Sequence, residues 1–392
     1  CVGSTEHPGS GGAGSAGAGS GDGCVGSTEH PGSGGAGSAG AGSGKMDDLV
    51  RELLAGQEAW FVGGVVRDEL LGREIVDVDV ICADPASAAR GYARRSGGAP
   101  FPLSDRYGGW RVALDGGRTV DFTPLQGGSI EGDVAARDFT VNAIAAPVRG
   151  GDLLDPFDGR GDLGRRTLRR VSDSVFDDDP LRLLRAVRLE DELGFRLDEQ
   201  TERLVREKTP LATRPAGERI IAELRRLSLE GWLRLDELGL LAALGGTAAR
   251  LREGDLVDTP EFRLVAGMLS RLKQFPVSNY LKSYTDSLLR AERPPDGSAR
   301  SIHRFRRATE PWAVDAAWFV HAPELEPAIL AARAADPAQP LVHGDELGFA
   351  PGPEIGRMLE EIAEERAAGT ISTREEALDL VRRRTEALRR DG

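Results

Sequence analysis

A chain of 392 residues with 40% apolar content can bury a sizeable core and build more than one domain. Aromatic residues make up only 5%, so that core must rest on Leu, Val, Ile and Ala. No apolar run approaches a membrane span, and Cys1, Cys24 and Cys82 offer no credible disulfide framework. The formal charge of −13 argues against a general nucleic-acid binder, whose phosphate contacts need clustered Lys and Arg. The charge is uneven, however: Arg160 to Arg226 holds 16 Lys+Arg and 14 Asp+Glu, a net of +2.

In chain order, residues Cys1 to Gly21 recur unchanged from Cys24 to Gly44. This Gly/Ser-rich repeat has almost nothing to bury and is expected to be disordered. It has neither the basic start nor the apolar stretch of a signal peptide, and a soluble, cytoplasmic protein is expected. Met46 follows directly, as a candidate start of the functional protein. Ala59 to Val62 reads as a short buried strand broken by Gly63-Gly64, and Val65 to Leu71 as one or two helical turns ending at Gly72. Val76 to Val80 alternates with period two, which marks a strand. Trp110 to Leu114 and Thr119 to Thr123 are further strands, joined by the turn Asp115-Gly116-Gly117. After Pro180 the pattern turns helical: Pro180 to Leu193, Glu218 to Leu229, Leu233 to Leu244, Pro353 to Arg366 and Thr373 to Leu388. The expected fold class is therefore α+β, a mixed-sheet head followed by an all-helical neck, body and tail.

Asp77 and Asp79 form the first chemical constellation. Residues i and i+2 of a strand point to one face, and carboxylates about 6–7 Å apart at Cα can converge on a pair of hard cations. Two Mg²⁺ ions suit in-line phosphoryl transfer, one activating a 3′-hydroxyl and the other holding pyrophosphate. The same pair would also fit an edge strand with two solvated aspartates. Gly63-Gly64, between strand and helix, lets backbone approach a triphosphate at a helix N-terminus, with Arg67 one turn in; it would equally make a tight turn.

Phe61-Val62-Gly63-Gly64-Val65-Val66-Arg67-Asp68 followed by Asp77-Val78-Asp79 resembles the nucleotidyltransferase head of the CCA-adding enzyme and bacterial poly(A) polymerase family. Arg137-Asp138-Phe139-Thr140-Val141-Asn142-Ala143, Asp179 to Arg188, Glu218 to Leu224, Gly344 to Leu347 and Pro351 to Gly356 resemble later family segments, in order. The resemblance implies addition of C and/or A from CTP and ATP to the 3′ end of tRNA, with Mg²⁺ and with no obligate protein partner or membrane. Poly(A) addition and a non-catalytic tRNA-binding relative are the alternative readings; the intact Asp77 and Asp79 argue against the latter. The implied segments are a 1–45 repeat, a 46–160 nucleotidyltransferase head, a 161–230 neck for nucleotide selection and RNA binding, and a 231–392 body and tail.

Residue by residue, the resemblance implies that Gly63, Gly64 and Arg67 hold the triphosphate and that Asp77 and Asp79 are metal ligands. It implies a third catalytic carboxylate at Asp121 and a nucleotide contact at Arg137. Asp179 and Arg182, three apart on a helix, would share a face and imitate a Watson–Crick partner for C or A. Asp179 before Pro180 is also a standard helix cap. Arg185 and Arg188 would continue the arginine face towards base or phosphate. Three departures stand out: Ala136 where the family has a second Arg, Gln126 in place of another Arg, and Leu189-Glu190-Asp191 in place of aromatic and small residues. The short connection from Asp121 to Arg137 fits a CC-only or A-only enzyme. The five histidines form no His-Asp dyad, so the phosphohydrolase domain that some relatives carry is not expected.

Overall fold

The computed structural model describes residues 47–104, 108–126, 128–253 and 257–391, the last five as backbone alone. The described residues fall in one compact unit, Ser43–Gly392. The repeat, and with it its expected disorder, lies outside the described residues.

Six strands form the head's mixed sheet: β1 (Ala59–Val62), β2 (Asp77–Cys82), β3 (Ala99–Ser104), β4 (Gly109–Ala113), β5 (Thr119–Thr123) and β6 (Ala145–Pro147). Their order is β3-β4-β5-β2-β1-β6, with β2 and β5 parallel and the other neighbours antiparallel. Period-two alternation sorts β2: Val78 and Val80 are buried, whereas Asp77 and Asp79 point to the opposite, wetter face. Because β2 lies inside the sheet, the edge-strand reading of its two aspartates does not hold. Helices α1 (Asp48–Leu54) and α3 (Pro85–Ser96) cover the apolar face, where Tyr92 meets Phe122 at a 5.9 Å ring separation.

Several head elements escaped the sequence patterns, β3 and α3 among them. Strand β3 carries Pro100 and Pro102, which suit an edge strand because the ladder there needs fewer N–H donors. Helix α3 is defined by its ends: Asp84 accepts from the Ser87 N–H, Pro85 opens the first turn, and Gly97 closes it at φ 78°. Upstream of both, α2 (Gly64–Leu70) follows β1 directly. Helix α4 (Ile130–Ala135) leads into the Arg137–Asn142 segment, and α5 (Gly159–Arg165) packs on it, with Asp162 accepting from the Thr140 hydroxyl at 2.6 Å.

The neck runs through α6 (Val175–Asp178), α7 (Arg182–Leu193), α8 (Glu199–Lys208) and α9 (Gly217–Leu224), with β7 (Thr167–Leu168) pairing β8 (Arg196–Leu197). Helix α7 begins at Arg182, not Pro180, because Asp179 to Leu181 make a turn between α6 and α7. The expected helix from Glu218 to Leu229 also divides. Ser228 caps α10 (Leu229–Glu237) by accepting from the Gly231 N–H, and its own N–H donates to Asp191 at 2.7 Å. Gly239, at φ 80°, separates α10 from α11 (Leu240–Ala243), so the expected Leu233–Leu244 helix divides there. Apolar periodicity registers the buried face and passes over these polar and glycine interruptions.

The body comprises α12 (Pro260–Met268), α13 (Asn279–Arg290), α14 (Ala299–Thr309), α15 (Ala313–Phe319) and α16 (Glu326–Ala334). One continuous apolar cluster runs from Val50 to Ile329, through head, neck and body. A second, smaller one joins Val342, Leu347, Met358, Ile362, Ile371, Ala377 and Val381 between α17 (Pro353–Ala367) and α18 (Arg374–Asp391). Arg300 and Arg304 of α14 pair with Glu364 of α17, tying the tail to the body. Among the described residues no helix is long and apolar enough to cross a membrane.

Close packing sets a local test. A Cβ on Gly267 would lie 2.3 Å from the fully buried Trp232 ring, whereas one on Gly164, in α5, would meet nothing within 4 Å. Gly267→Ala is expected to destabilise the fold by roughly 1–3 kcal/mol. Gly164→Ala should stabilise it by about 0.5–1 kcal/mol through helix propensity. Urea unfolding of both variants measures the contrast.

Candidate active site

The open face of the sheet carries a row of charged side chains. Along one rung of hydrogen-bonded strands, Arg111 of β4 stands opposite Asp121 of β5, which stands opposite Asp79 of β2. Two residues back, on the same face, Asp77 is opposite Thr119, whose hydroxyl donates to its Oδ1 at 2.8 Å. Asp77, Asp79 and Asp121 therefore share one face across two adjacent parallel strands. Arg111 donates from Nε and Nη2 to the two carboxylate oxygens of Asp121, both at 2.7 Å. Burial pushes the Asp79 carboxyl up to about 6; Arg137 and Arg111 oppose the rise, and Asp121 and Asp77 add to it.

This donor set suits divalent cations. Hard carboxylate oxygens on one face, with the Asp79 carboxyl raised first by burial and then by its acidic neighbours, are the donors that hard cations prefer. Asp77 and Asp79 could hold such a cation, with Asp121 on the adjacent strand.

Gly63 opens this site. It takes φ 76°, and a Cβ there would come within 2.6 Å of Arg137 Nη1 and 3.5 Å of Asp79 Oδ2. A side chain at position 63 would thus collide with the site itself. Gly64 is the first residue of α2. Arg137 donates from Nε and Nη2 to Asp133, which leaves Nη1 directed at Gly63.

The remaining candidates line a seam between head and neck. Arg67 is buried; its Nη1 donates to Asn142 at 2.8 Å and its Nε and Nη2 to Asp68. Asn142 donates to Asp138 at 3.0 Å, and Arg185 donates to the other oxygen of Asp138 at 2.9 Å. Arg188 donates to Glu223 at 2.6 Å and also pairs with Glu192. Arg182 donates to the backbone carbonyls of Ala136, at 2.7 Å, and Arg137. Asp179 accepts from the Leu181 N–H and from Arg219 at 2.8 Å. Asp179 and Arg182 thus lie on either side of the turn before α7, each with its own partner.

Sequence reasoning passed over Arg111, Asp138, Arg219 and Glu223 as working residues. Arg111 had a signal: counting outward from the Asp115–Gly117 turn sets it opposite Asp121. Glu190 and Asp191, noted as departures, build neck contacts. The buried Glu190 accepts from Arg234 and from the Leu197 N–H, and Asp191 takes the Ser228 backbone and hydroxyl. At Ala136 the backbone carbonyl makes the contact, so a small side chain suffices there.

With this geometry in place, the family can be stated. Residues 113–169 match the family model of the poly A polymerase head domain. The chain is 33% identical over 421 residues to an A-adding tRNA nucleotidyltransferase of Deinococcus radiodurans, an alignment covering 84% of this chain and 96% of that one. It is 45% identical over 174 residues to a CC-adding tRNA nucleotidyltransferase of Geobacter sulfurreducens, covering 44% of this chain and 40% of the relative. A Thermotoga maritima CCA-adding enzyme complexed with tRNA shares the fold, with a TM-score of 0.65 and 23% identity over 85% of this chain and 94% of that one. The chain belongs to the tRNA nucleotidyltransferase family.

The seam has a measurable acid limb. Burial opposes ionisation of Asp138, but Arg185, Asn142 and the Phe139 N–H outweigh it and hold the carboxyl at about 2, below the ordinary 3.8. A depressed folded-state pKa gives stability that is complete above the unfolded value and lost as pH falls through the folded one. The expected loss is roughly 2 kcal/mol between pH 5 and pH 2. Arg185→Met leaves Asp138 buried with one partner fewer, and should cost roughly 3–5 kcal/mol at pH 7. Urea unfolding of both proteins from pH 2 to 7 checks the values; a wild-type curve flat below pH 4 would contradict this account.

Proposed function

We propose that this chain adds C and/or A, from CTP and ATP, to the 3′ end of tRNA, without a nucleic-acid template. One observation carries the reading: a contiguous set of contacts joins the carboxylate face to the neck. Arg182 holds the carbonyls of Ala136 and Arg137, and the Arg137 guanidinium abuts Gly63 at the edge of the carboxylate face. A nucleotide bound at Gly63 and Gly64 would have its triphosphate near Asp77 and Asp79 and its base towards Asp179 and Arg182.

The head, residues 46–160, would perform the transfer; the neck, 161–230, would select the base; the body and tail, 231–392, would take the tRNA. Nucleotidyltransferases of this family use divalent metal ions, and Mg²⁺ is the ion proposed here, supplying charge for the attacking 3′-oxygen and the leaving pyrophosphate. Asp77 and Asp79 would hold it, and Asp121 would orient the attacking hydroxyl. Arg137 would meet the nucleotide, and Arg185 and Arg188 would fix the neck behind the base. Arg67, turned to Asn142 and Asp68, supports the glycine turn from below as much as it reaches the phosphates. Work on tRNA would place the protein in the cytoplasm.

The assay is incubation with tRNA lacking CCA, lacking only the terminal A, or complete, with each labelled NTP in turn. Incorporation confined to C and A on incomplete tRNA is expected. Long A tails on any RNA would identify a poly(A) polymerase, and no incorporation at all would leave a tRNA-binding relative. Asp77→Ala and Asp79→Ala should each reduce addition at least about a thousandfold with little change in unfolding, since the exposed and half-buried side chains serve ions rather than core.

A further inference from the structure

The Arg111–Asp121 pair is odd as a stabilising device. The Arg111 side chain is 37% exposed, and ion pairs at such positions contribute little to stability. A β-branched residue would suit that strand position better. Yet the geometry is strict: both carboxylate oxygens are engaged, each at 2.7 Å, by two nitrogens of one planar fork. The sheet register then aligns that fork with Asp121 and Asp79 on one rung, adjacent strands being about 4.8 Å apart. Arg111 is therefore a permanent positive charge set into the carboxylate face.

We propose that Arg111 is a positioning residue that fixes the aim of Asp121 and, through its permanent charge, competes with the divalent cations taken up by Asp77 and Asp79. The proposal rests on the cation reading of those two aspartates. It has two separable parts. The charge weakens cation binding, so a metal must be exchanged against an internal cation rather than held as a fixture. The fork orients Asp121, because a carboxylate with both oxygens engaged cannot rotate into the metal site as a third strong ligand.

The test is Mn²⁺ binding to the full chain, followed by the electron paramagnetic resonance of free Mn²⁺, with kcat and KM for nucleotide measured in parallel. Arg111→Met removes charge and fork; it should bind Mn²⁺ about tenfold more tightly, as loss of one nearby positive charge predicts. Its kcat should fall while its KM for nucleotide stays. Arg111→Lys keeps the charge and loses the fork; it should bind Mn²⁺ like wild type and still show a lowered kcat. If Arg111→Met does not fold, Arg111→Gln makes the same comparison. Unchanged or weaker Mn²⁺ binding on removing the charge overturns the proposal. Equal Mn²⁺ binding by wild type and Asp79→Asn overturns the cation reading itself, and the proposal with it.

Discussion

The buried carboxylate of Asp138 is the interaction on which the arrangement of head and neck depends. It sits in the segment after α4, where Asn142 ties it to Arg67 behind the glycine turn and Arg185 ties it to α7. A buried charge is costly unless paired and hydrogen-bonded, and here each oxygen has its own donor. The network continues through Arg188, Glu223 and Glu192 to Arg226. The Asp138–Arg185 pair crosses from head to neck, so both charges are satisfied only when the two are in place. The seam therefore specifies one relative placement of the two, which a purely apolar contact would define less sharply.

This seam also explains how an acidic chain can carry so many arginines on its functional side. Arg67, Arg137, Arg185 and Arg188 are all matched by carboxylates or amides within the protein. The matching removes most of their non-specific pull on phosphate. The net charge of −13 then bears on indiscriminate RNA binding and leaves the site free to act through shape and local charge.

Much of this was legible in the sequence. Period-two alternation around Asp77 and Asp79 required a strand with both carboxylates on one face, and the paired glycines required a turn just upstream. What periodicity could not supply was partners. Asp179 reads as a cap from sequence and does accept from a backbone N–H, at Leu181, but its second oxygen takes Arg219, forty residues on. The Arg111–Asp121 clamp depends on a hairpin register that only the turn could announce. Strand β3 was hidden because its two prolines argue against a strand until the sheet shows that it is an edge.

The partners of Asp179 and Arg182 bear on how a protein could stand in for a template. Arg182 spends its donors on carbonyls of the head, and Asp179 is shared with Arg219. For either to pair with a base, it must exchange a protein contact for a ligand contact of the same kind. Such an exchange leaves the count of hydrogen bonds nearly unchanged, so a base of the wrong pattern, which breaks a contact and replaces none, meets the full penalty of an unsatisfied polar group, about 1–3 kcal/mol. Selection would then come from what the incorrect base fails to replace. A carboxylate and a guanidinium already paired inside the protein suit that role better than two free charges, which would attract any nucleotide.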